Sequence, residues 1–298
     1  MAALSYSTTP ITEVHDPILD RAGVRLLVKR EDLNHVHVSG NKWWKLKYNL
    51  AEAIRLKHHT LLTFGGAYSN HLYATAAAAL ELGIKSIGIV RGEETLPLNP
   101  TLTFVKTCGM RLYYVSRERY RTKTTAEFQK WIHENFDHAY IIPEGGTNEL
   151  AIAGCTELSR QIQMETNFDF VALPVGTGGT MAGIIAGLRD DQTAVGYSVL
   201  KGGEFLRGEV MRWLAVSGCT HERWRIATTY HQGGYGKRTA ALMKFMQHQL
   251  AAHLLPLDPV YTGKSCYGLW QEMEQGLFPR GSTILMLHTG GMQGALSE

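Results

Sequence analysis

A glycine-rich turn and a lysine at the head of a helical segment are the residues here whose types and spacing can do chemistry. Gly176-Thr177-Gly178-Gly179-Thr180 follows the apolar run 168–175 and precedes a stretch of helical period, 181–188. Its small residues let backbone N–H groups converge, and the start of a helix adds its positive dipole end, which together suit a phosphate. A GxGxxG dinucleotide fingerprint would need glycine where Met181 stands, and the one GK[ST] triplet, Gly263-Lys264-Ser265, has Asp258 where a P-loop needs glycine. A phosphate-bearing ligand other than a nucleoside triphosphate is the sharp reading, and an ordinary strand-to-helix turn the plain one.

Lys42 closes Ser39-Gly40-Asn41-Lys42 and opens a helical segment beside Trp43 and Trp44. The positive end of a helix and apolar neighbours both destabilise an ammonium, and a neutral amine is what Schiff-base chemistry needs. The plain alternative is a solvated surface lysine. Ser69-Asn70-His71 follows Gly65-Gly66 and opens an alanine-rich segment. Either these residues cap that helix, or its free N–H groups and two side-chain donors grip a carboxylate. His35 and His37 lie near Glu31 and Asp32 without a third ligand at helical spacing, so no metal site is expected.

The elements that must hold these residues are short apolar runs alternating with helical segments. Nine runs read as strands: 26–29, 61–64, 84–90, 112–115, 140–142, 168–175, 195–200, 225–228 and 283–287. Trp43, Leu46, Leu50 and Ile54 lay one apolar stripe along the helix that Lys42 opens, and 72–82 reads as a buried helix ending at Gly83. This alternation predicts an α/β protein with largely parallel sheets covered on both faces. Glycine pairs at 65–66, 145–146, 178–179, 202–203 and 290–291 follow strand-like runs, where open parallel sheets gather ligands. No Pro/Gly/Ser linker divides the chain, and these strands suit one large sheet or two modest ones.

Composition sets the outer bounds. The 298 residues carry 30 Lys and Arg against 27 Asp and Glu, a net charge of +3, with 44% apolar residues. That excludes disorder as the main state and gives no electrostatic footprint for nucleic acid. The longest apolar runs are too short or interrupted to span a bilayer, and no charged-then-apolar leader is read at the start. Cys108, Cys155, Cys219 and Cys266 are far apart in sequence, so reduced thiols in a cytoplasm are expected rather than a redox pair or zinc site.

Six motifs in order, Lys29-Arg30-Glu31-Asp32, Ser39 to Lys42, Gly65-Gly66-Ala67-Tyr68-Ser69-Asn70-His71, Gly176 to Thr180, Tyr261-Thr262-Gly263-Lys264 and His288-Thr289-Gly290-Gly291, resemble one family. It is the 1-aminocyclopropane-1-carboxylate deaminase / D-cysteine desulfhydrase family of pyridoxal-phosphate enzymes, and the resemblance runs from about position 8 to 295. It implies the tryptophan-synthase-β-like α/β fold (fold type II), with two domains of open twisted sheets. Residues 45–158 would form a small domain inserted into a large cofactor-binding one made of 1–44 and 159–298. Lys42 would hold pyridoxal phosphate through a Schiff base and move the substrate's proton. Gly176, Thr177, Gly178, Gly179 and Thr180 would cradle the phosphate, Asn70 would contact the ring's phenolic oxygen, and Thr289 would lie by the pyridine nitrogen. Ser69 and His71 would lie where the substrate carboxylate docks, Asn70 and Tyr261 would also bind the substrate, and Ser69 and Tyr261 are counted with Lys42 as catalytic.

The resemblance also implies a small amino-acid substrate and a homodimer. Members acting on the cyclopropane substrate carry Glu after the tyrosine and Leu before the last glycine pair. Here those positions are Thr262 and Thr289, the desulfhydrase pattern. The expected reaction is β-elimination of D-cysteine to pyruvate, hydrogen sulfide and ammonia. The alternatives are ring opening of 1-aminocyclopropane-1-carboxylate to 2-oxobutanoate and ammonia, and a non-catalytic pyridoxal-phosphate or amino-acid-binding protein. One departure is Trp44, where relatives carry a basic residue; it is expected to alter the pocket edge or subunit packing.

Overall fold

In the computed structural model, which describes residues 4–136 and 138–294, every one of the nine expected runs is a strand, with ends shifted by at most two residues. In chain order the strands are β1 (Ile11–Val14), β2 (Arg25–Lys29), β3 (Thr60–Gly66), β4 (Lys85–Arg91), β5 (Arg111–Val115), β6 (Tyr140–Ile142), β7 (Phe170–Val175), β8 (Thr193–Ser198), β9 (Trp224–Ala227) and β10 (Thr283–Leu287). The helices are α1 (Pro17–Ala22), α2 (Asn41–Arg55), α3 (Asn70–Glu81), α4 (Pro100–Thr107), α5 (Arg117–Arg121), α6 (Ala126–Asn135), α7 (Glu149–Glu165), α8 (Gly179–Ala186), α9 (Leu206–Val216), α10 (Ala240–His253) and α11 (Thr262–Glu274).

The strands form two open sheets. One has six strands in the order β1-β2-β10-β7-β8-β9, and the other four in the order β5-β4-β3-β6. Every pairing is parallel except β1 with β2. β1 was not among the expected strands. It is a four-residue edge whose exposed side bears Glu13, bound to Arg25 across the pair at 2.6 Å, and so short a polar edge leaves little apolar pattern to read.

Three helices pack backbone to backbone beneath the six-stranded sheet's carboxyl ends. A Cβ on Gly154 of α7 would lie 2.0 Å from the Trp44 carbonyl oxygen of α2, and one on Gly183 of α8 would lie 2.3 Å from Cys155 Cβ of α7. Glycine alone permits these approaches. Leu46, Leu50, Ile152, Leu158, Ile184 and Ile185 fill the resulting core, all nearly inaccessible, and each such side chain contributes about 1.5–3 kcal/mol by leaving water.

Trp44 belongs to this core and not to any pocket edge. It is buried, and its indole N–H donates to Glu31 Oε2 at 2.6 Å. Glu31 also accepts from the Thr9 hydroxyl and the Asn34 amide, so Trp44 completes the set of donors around a buried carboxylate. Trp43 donates to the Ser5 carbonyl at 2.7 Å.

No helix among the described residues is long and apolar enough to cross a membrane, and all four cysteines are free. Replacing Gly154 by alanine gains about 1 kcal/mol of helix propensity, but no rotamer relieves an overlap with a backbone oxygen. The expected net loss is about 1–3 kcal/mol, measurable as a fall in thermal midpoint of roughly 2–4 °C for each kcal/mol.

Candidate active site

The carboxyl ends of strands from both sheets open into one cavity of about 620 Å³. The six-stranded sheet contributes the loops after β7 and β10, and the four-stranded sheet those after β3, β4 and β6. Apart from Gly179, every expected site residue lines this cavity: Lys42, Ser69, Asn70, His71, the rest of the 176–180 turn, Tyr261 and Thr289.

Lys42 stands in the first turn of α2. The helix begins where it does because Gly40, at φ +68°, lies against Thr289; a Cβ there would fall 1.9 Å from the Thr289 carbonyl oxygen. That oxygen accepts the Asn41 N–H at 3.2 Å, so the end of β10 supplies a partner for the helix start. Lys42 Nζ donates to Asn41 Oδ1 at 3.1 Å. Burial lowers its ammonium to about 8, against the opposing pull of Asp258. The tryptophans beside it in sequence do not line the cavity, so removal from water is the cause and not contact with their rings.

A second buried lysine, which sequence reasoning passed over, lies one turn on. Lys45 Nζ donates to the Gly145 carbonyl and to Thr147 Oγ1 at 2.8 Å. Burial, then the charge of Lys42, lowers it to about 7. Thr147 Oγ1 in turn meets Thr177 Oγ1 at 3.0 Å, so this lysine reaches the edge of the glycine-rich turn. The only signal for it was spacing: three residues after Lys42 on one helix face.

The turn itself is closely walled. A Cβ on Gly176 would come within 3.1 Å of the Tyr261 ring, on Gly178 (φ +79°) within 3.1 Å of Val210, and on Gly179 within 2.5 Å of Thr147. Gly178 caps α8 without any side-chain hydrogen bond. Asn41 Nδ2 donates to Thr180 Oγ1 at 2.8 Å, joining the Lys42 helix to the turn. Converging N–H groups, a helix start and a lysine nearby form a receptor for a dianion.

Ser69 caps α3, its hydroxyl accepting from the N–H groups of His71 and Leu72 at 3.2 Å each. Asn70 Oδ1 accepts from Gln293 Nε2 at 2.6 Å, and its amide lies where a Cβ on Gly291 would sit. His71 is buried. The Thr63 hydroxyl gives its proton to the Ile142 carbonyl at 2.8 Å, so its oxygen must accept from His71 Nε2 at 2.8 Å. The proton is thereby fixed on Nε2, and Nδ1 is a bare lone pair, buried without a partner. Burial, then the charges of Lys42 and Lys45, hold the imidazole well below its usual range, so it is neutral.

Tyr261 precedes α11. Asp258, itself buried, accepts from the N–H groups of Val260, Tyr261 and Thr262 at 2.8–3.0 Å and from the Thr262 hydroxyl at 2.9 Å. Asp258 thus gathers the N–H groups at the start of α11, and Thr262 is bound to it, outside the residues that line the cavity. Burial first, then Tyr235 and Asp258, raises the Tyr261 phenol well above its ordinary value, so it keeps its proton. Its hydroxyl meets that of Tyr235 at 3.4 Å. Tyr235 also lines the cavity and was not anticipated; an aromatic residue within Gly233-Gly234-Tyr235-Gly236 was the available signal.

The histidine pair at 35 and 37 stays outside. His35 bonds Glu81 at 2.8 Å and organises its own loop, while His37 meets the Tyr73 hydroxyl at 3.0 Å. Asp32 turns inward to Arg30 and to His288.

Competitive acetylation with acetic anhydride, followed peptide by peptide, should place the midpoint of Lys42 reactivity near pH 8, the neutral amine rising about tenfold between pH 7 and 9. A midpoint above pH 10 would mean a solvated lysine.

Comparison with known proteins gives the family and the fold. A protein of Pyrococcus furiosus, provisionally named as a 1-aminocyclopropane-1-carboxylate deaminase, is 33% identical over 285 residues, covering 91% of this chain and 86% of its own. The mitochondrial bifunctional D-cysteine desulfhydrase/1-aminocyclopropane-1-carboxylate deaminase of Arabidopsis thaliana is 31% identical, covering 98% of this chain and 78% of its own. The crystal structure of an ACC deaminase homologue superposes with a TM-score of 0.84 at 29% identity, over 97% of this chain and 91% of that one. The family described as pyridoxal-phosphate dependent enzyme matches residues 3–290. With that match over nearly its whole length and a fold of the tryptophan-synthase-β-like type, the chain belongs to the pyridoxal-phosphate dependent enzymes.

Proposed function

We propose that this enzyme carries out β-elimination on D-cysteine, taking up one water and releasing pyruvate, hydrogen sulfide and ammonia. One observation carries the reading: among the described residues that line the cavity, no unpaired carboxylate stands beside Tyr261. The carboxylates among its lining residues are Glu144 and Glu209, paired with Lys123 at 3.1 Å and Arg212 at 2.7 Å. Thr262 follows the tyrosine, and Thr289 closes the wall at the start of α2. Sulfide leaves readily with a single proton, whereas opening a cyclopropane ring must protonate carbon and calls for a stronger set of proton-handling groups.

The residues present fit pyridoxal phosphate. The walled turn and the uncapped start of α8 suit its phosphate, with Lys45 and Asn41 adjoining. The depressed amine of Lys42 suits its aldehyde. When bound, the cofactor supplies the conjugated ring that spreads the electron pair left at the substrate's Cα.

In this reading Gly176, Thr177, Gly178, Gly179 and Thr180 hold the phosphate, Asn70 faces the ring's oxygen, and Thr289 offers the ring nitrogen a neutral hydroxyl. Ser69 and the start of α3 hold the substrate carboxylate, which fixes which bond to Cα can break. Lys42 Nζ, about half neutral near pH 8, removes the α-proton as general base. Tyr261, kept as a phenol, hands a proton to the departing sulfur. His71 Nδ1, a lone pair, accepts a hydrogen bond from a substrate N–H or S–H; the carboxylate is left to Ser69 and Asn70.

Ring opening of 1-aminocyclopropane-1-carboxylate is the second reading, favoured by the name of the Pyrococcus furiosus relative, while that of the Arabidopsis thaliana relative carries both activities. We also propose the division into a small domain (45–158) and a large one (1–44 and 159–298), supported by the two separate sheets. A cytoplasmic homodimer completes the proposal, and sedimentation of the purified protein checks the dimer.

A panel of D- and L-amino acids tests the function. Sulfide and pyruvate should form from D-cysteine at a kcat/KM at least tenfold above that for L-cysteine. Release of 2-oxobutanoate from the cyclopropane substrate, with no sulfide from D-cysteine, would replace this reading by the second. Lys42→Ala should lower turnover by more than about a hundredfold while the protein remains folded by circular dichroism.

A further inference from the structure

The motif Tyr261-Thr262-Gly263-Lys264 ends in a lysine for which the reaction has no use. Its side chain is fully buried. Nζ donates to the carbonyl of Gly234, thirty positions away in sequence, at 2.6 Å. Burial lowers this ammonium to about 8, with Asp258 opposing, so it is mostly charged at pH 7. An ammonium buried on a backbone carbonyl is unfavourable unless the contact it makes is useful.

The receiving loop needs outside help. Gln232, Gly233, Gly234 and Gly236 all have positive φ, at +53°, +91°, +113° and +70°. Glycines with so much freedom in the unfolded chain give such a loop little preference for one shape. Its own ties are local: Gly234 N–H to the His231 carbonyl at 3.0 Å, Lys237 N–H to the Gly234 carbonyl at 3.1 Å, and Gly233 N–H to His231 Nδ1 at 3.0 Å. Tyr235 is 45% exposed, so the burial that raises its phenol above the ordinary value covers only part of the side chain. Yet its hydroxyl meets that of Tyr261, with the two rings nearly perpendicular, 6.0 Å apart.

We propose that Lys264 is a positioning residue, a tether from α11 that holds the 231–236 loop by the Gly234 carbonyl and so keeps the Tyr235 hydroxyl against Tyr261 over the cavity. The inference deepens the reading in which Tyr261 acts at the substrate, and it makes Tyr235 the second phenol of that site. The rest of the motif serves the same end. The Thr262 hydroxyl accepts from the Asp258 N–H and donates to its carboxylate, and Gly263 lets the helix start pass under the Asp258 carbonyl, which accepts its N–H at 2.8 Å.

Hydrogen exchange and kinetics on the cofactor-loaded enzyme test the tether. Lys264→Met, which keeps the buried stem, should raise amide exchange across 231–237 at least tenfold while α11 and both sheets keep their protection. On the best amino-acid substrate, Lys264→Met and Tyr235→Phe should each lower kcat/KM at least fivefold. The double variant should be no worse than Tyr235→Phe alone, because the tether acts only through that hydroxyl. Unchanged exchange in the loop, or losses that multiply in the double variant, would overturn the proposal. If the methionine variant does not fold, Lys264→Gln, too short to reach Gly234, should give the same local loss of protection, and retained protection there would likewise refute the tether. Should no amino acid be turned over, the functional reading fails, and the exchange result still decides the tether.

Discussion

A primary amine held out of water at the start of a helix, with no carboxylate bonded to it, is the constraint on which this molecule is built. Desolvation and the helix dipole both act against the charged form of Lys42, whose charge in turn lowers Lys45 on the same face. Such an arrangement survives only if the backbone around it is over-determined. Gly40 against Thr289 fixes where α2 starts, Gly154 fixes how closely it lies on α7, and Gly183 fixes α7 on α8. The amine and the phosphate-type turn are thus set relative to one another by close backbone contacts, with the Asn41–Thr180 side-chain hydrogen bond joining them.

The opposite wall is built differently. Ser69, Asn70 and His71 come from the start of α3, where a cap and a tautomer-fixing relay through Thr63 to Ile142 determine what each polar atom can do. Tyr261 rests on Asp258, whose carboxylate is occupied by four donors, and so orients the phenol without taking its proton. Neutral acceptor, retained phenol and depressed amine are three protonation states set by environment at one cavity, which is how a single pH serves several proton transfers.

Much of this was legible in the residues. Strand runs announced themselves by apolar content, and the glycine-rich turn and Lys42 by residue types out of place for ordinary turns and surfaces. What escaped has physical reasons. β1 is a short edge with a polar exposed face. Lys45 reads as one more solvated lysine, since nothing in a sequence says that a chain's own carbonyls will receive it. Tyr235 sits in a loop whose shape depends on a partner far along the chain. Trp44 looked like a change at the pocket because sequence proximity to Lys42 was mistaken for spatial proximity; successive helical residues point about 100° apart.

The contact between Gly40 and Thr289 joins positions from near the two extremities of the described chain. During synthesis the first turn of α2 leaves the ribosome long before β10 exists to receive it. Lys42 therefore acquires its environment only once β10, about 240 positions further on, has been made, and contacts so distant in sequence are slow to form. A nascent polypeptide of this kind carries an ordinary, harmless amine until the closing strand docks, so reactivity toward aldehydes is withheld until assembly is finished.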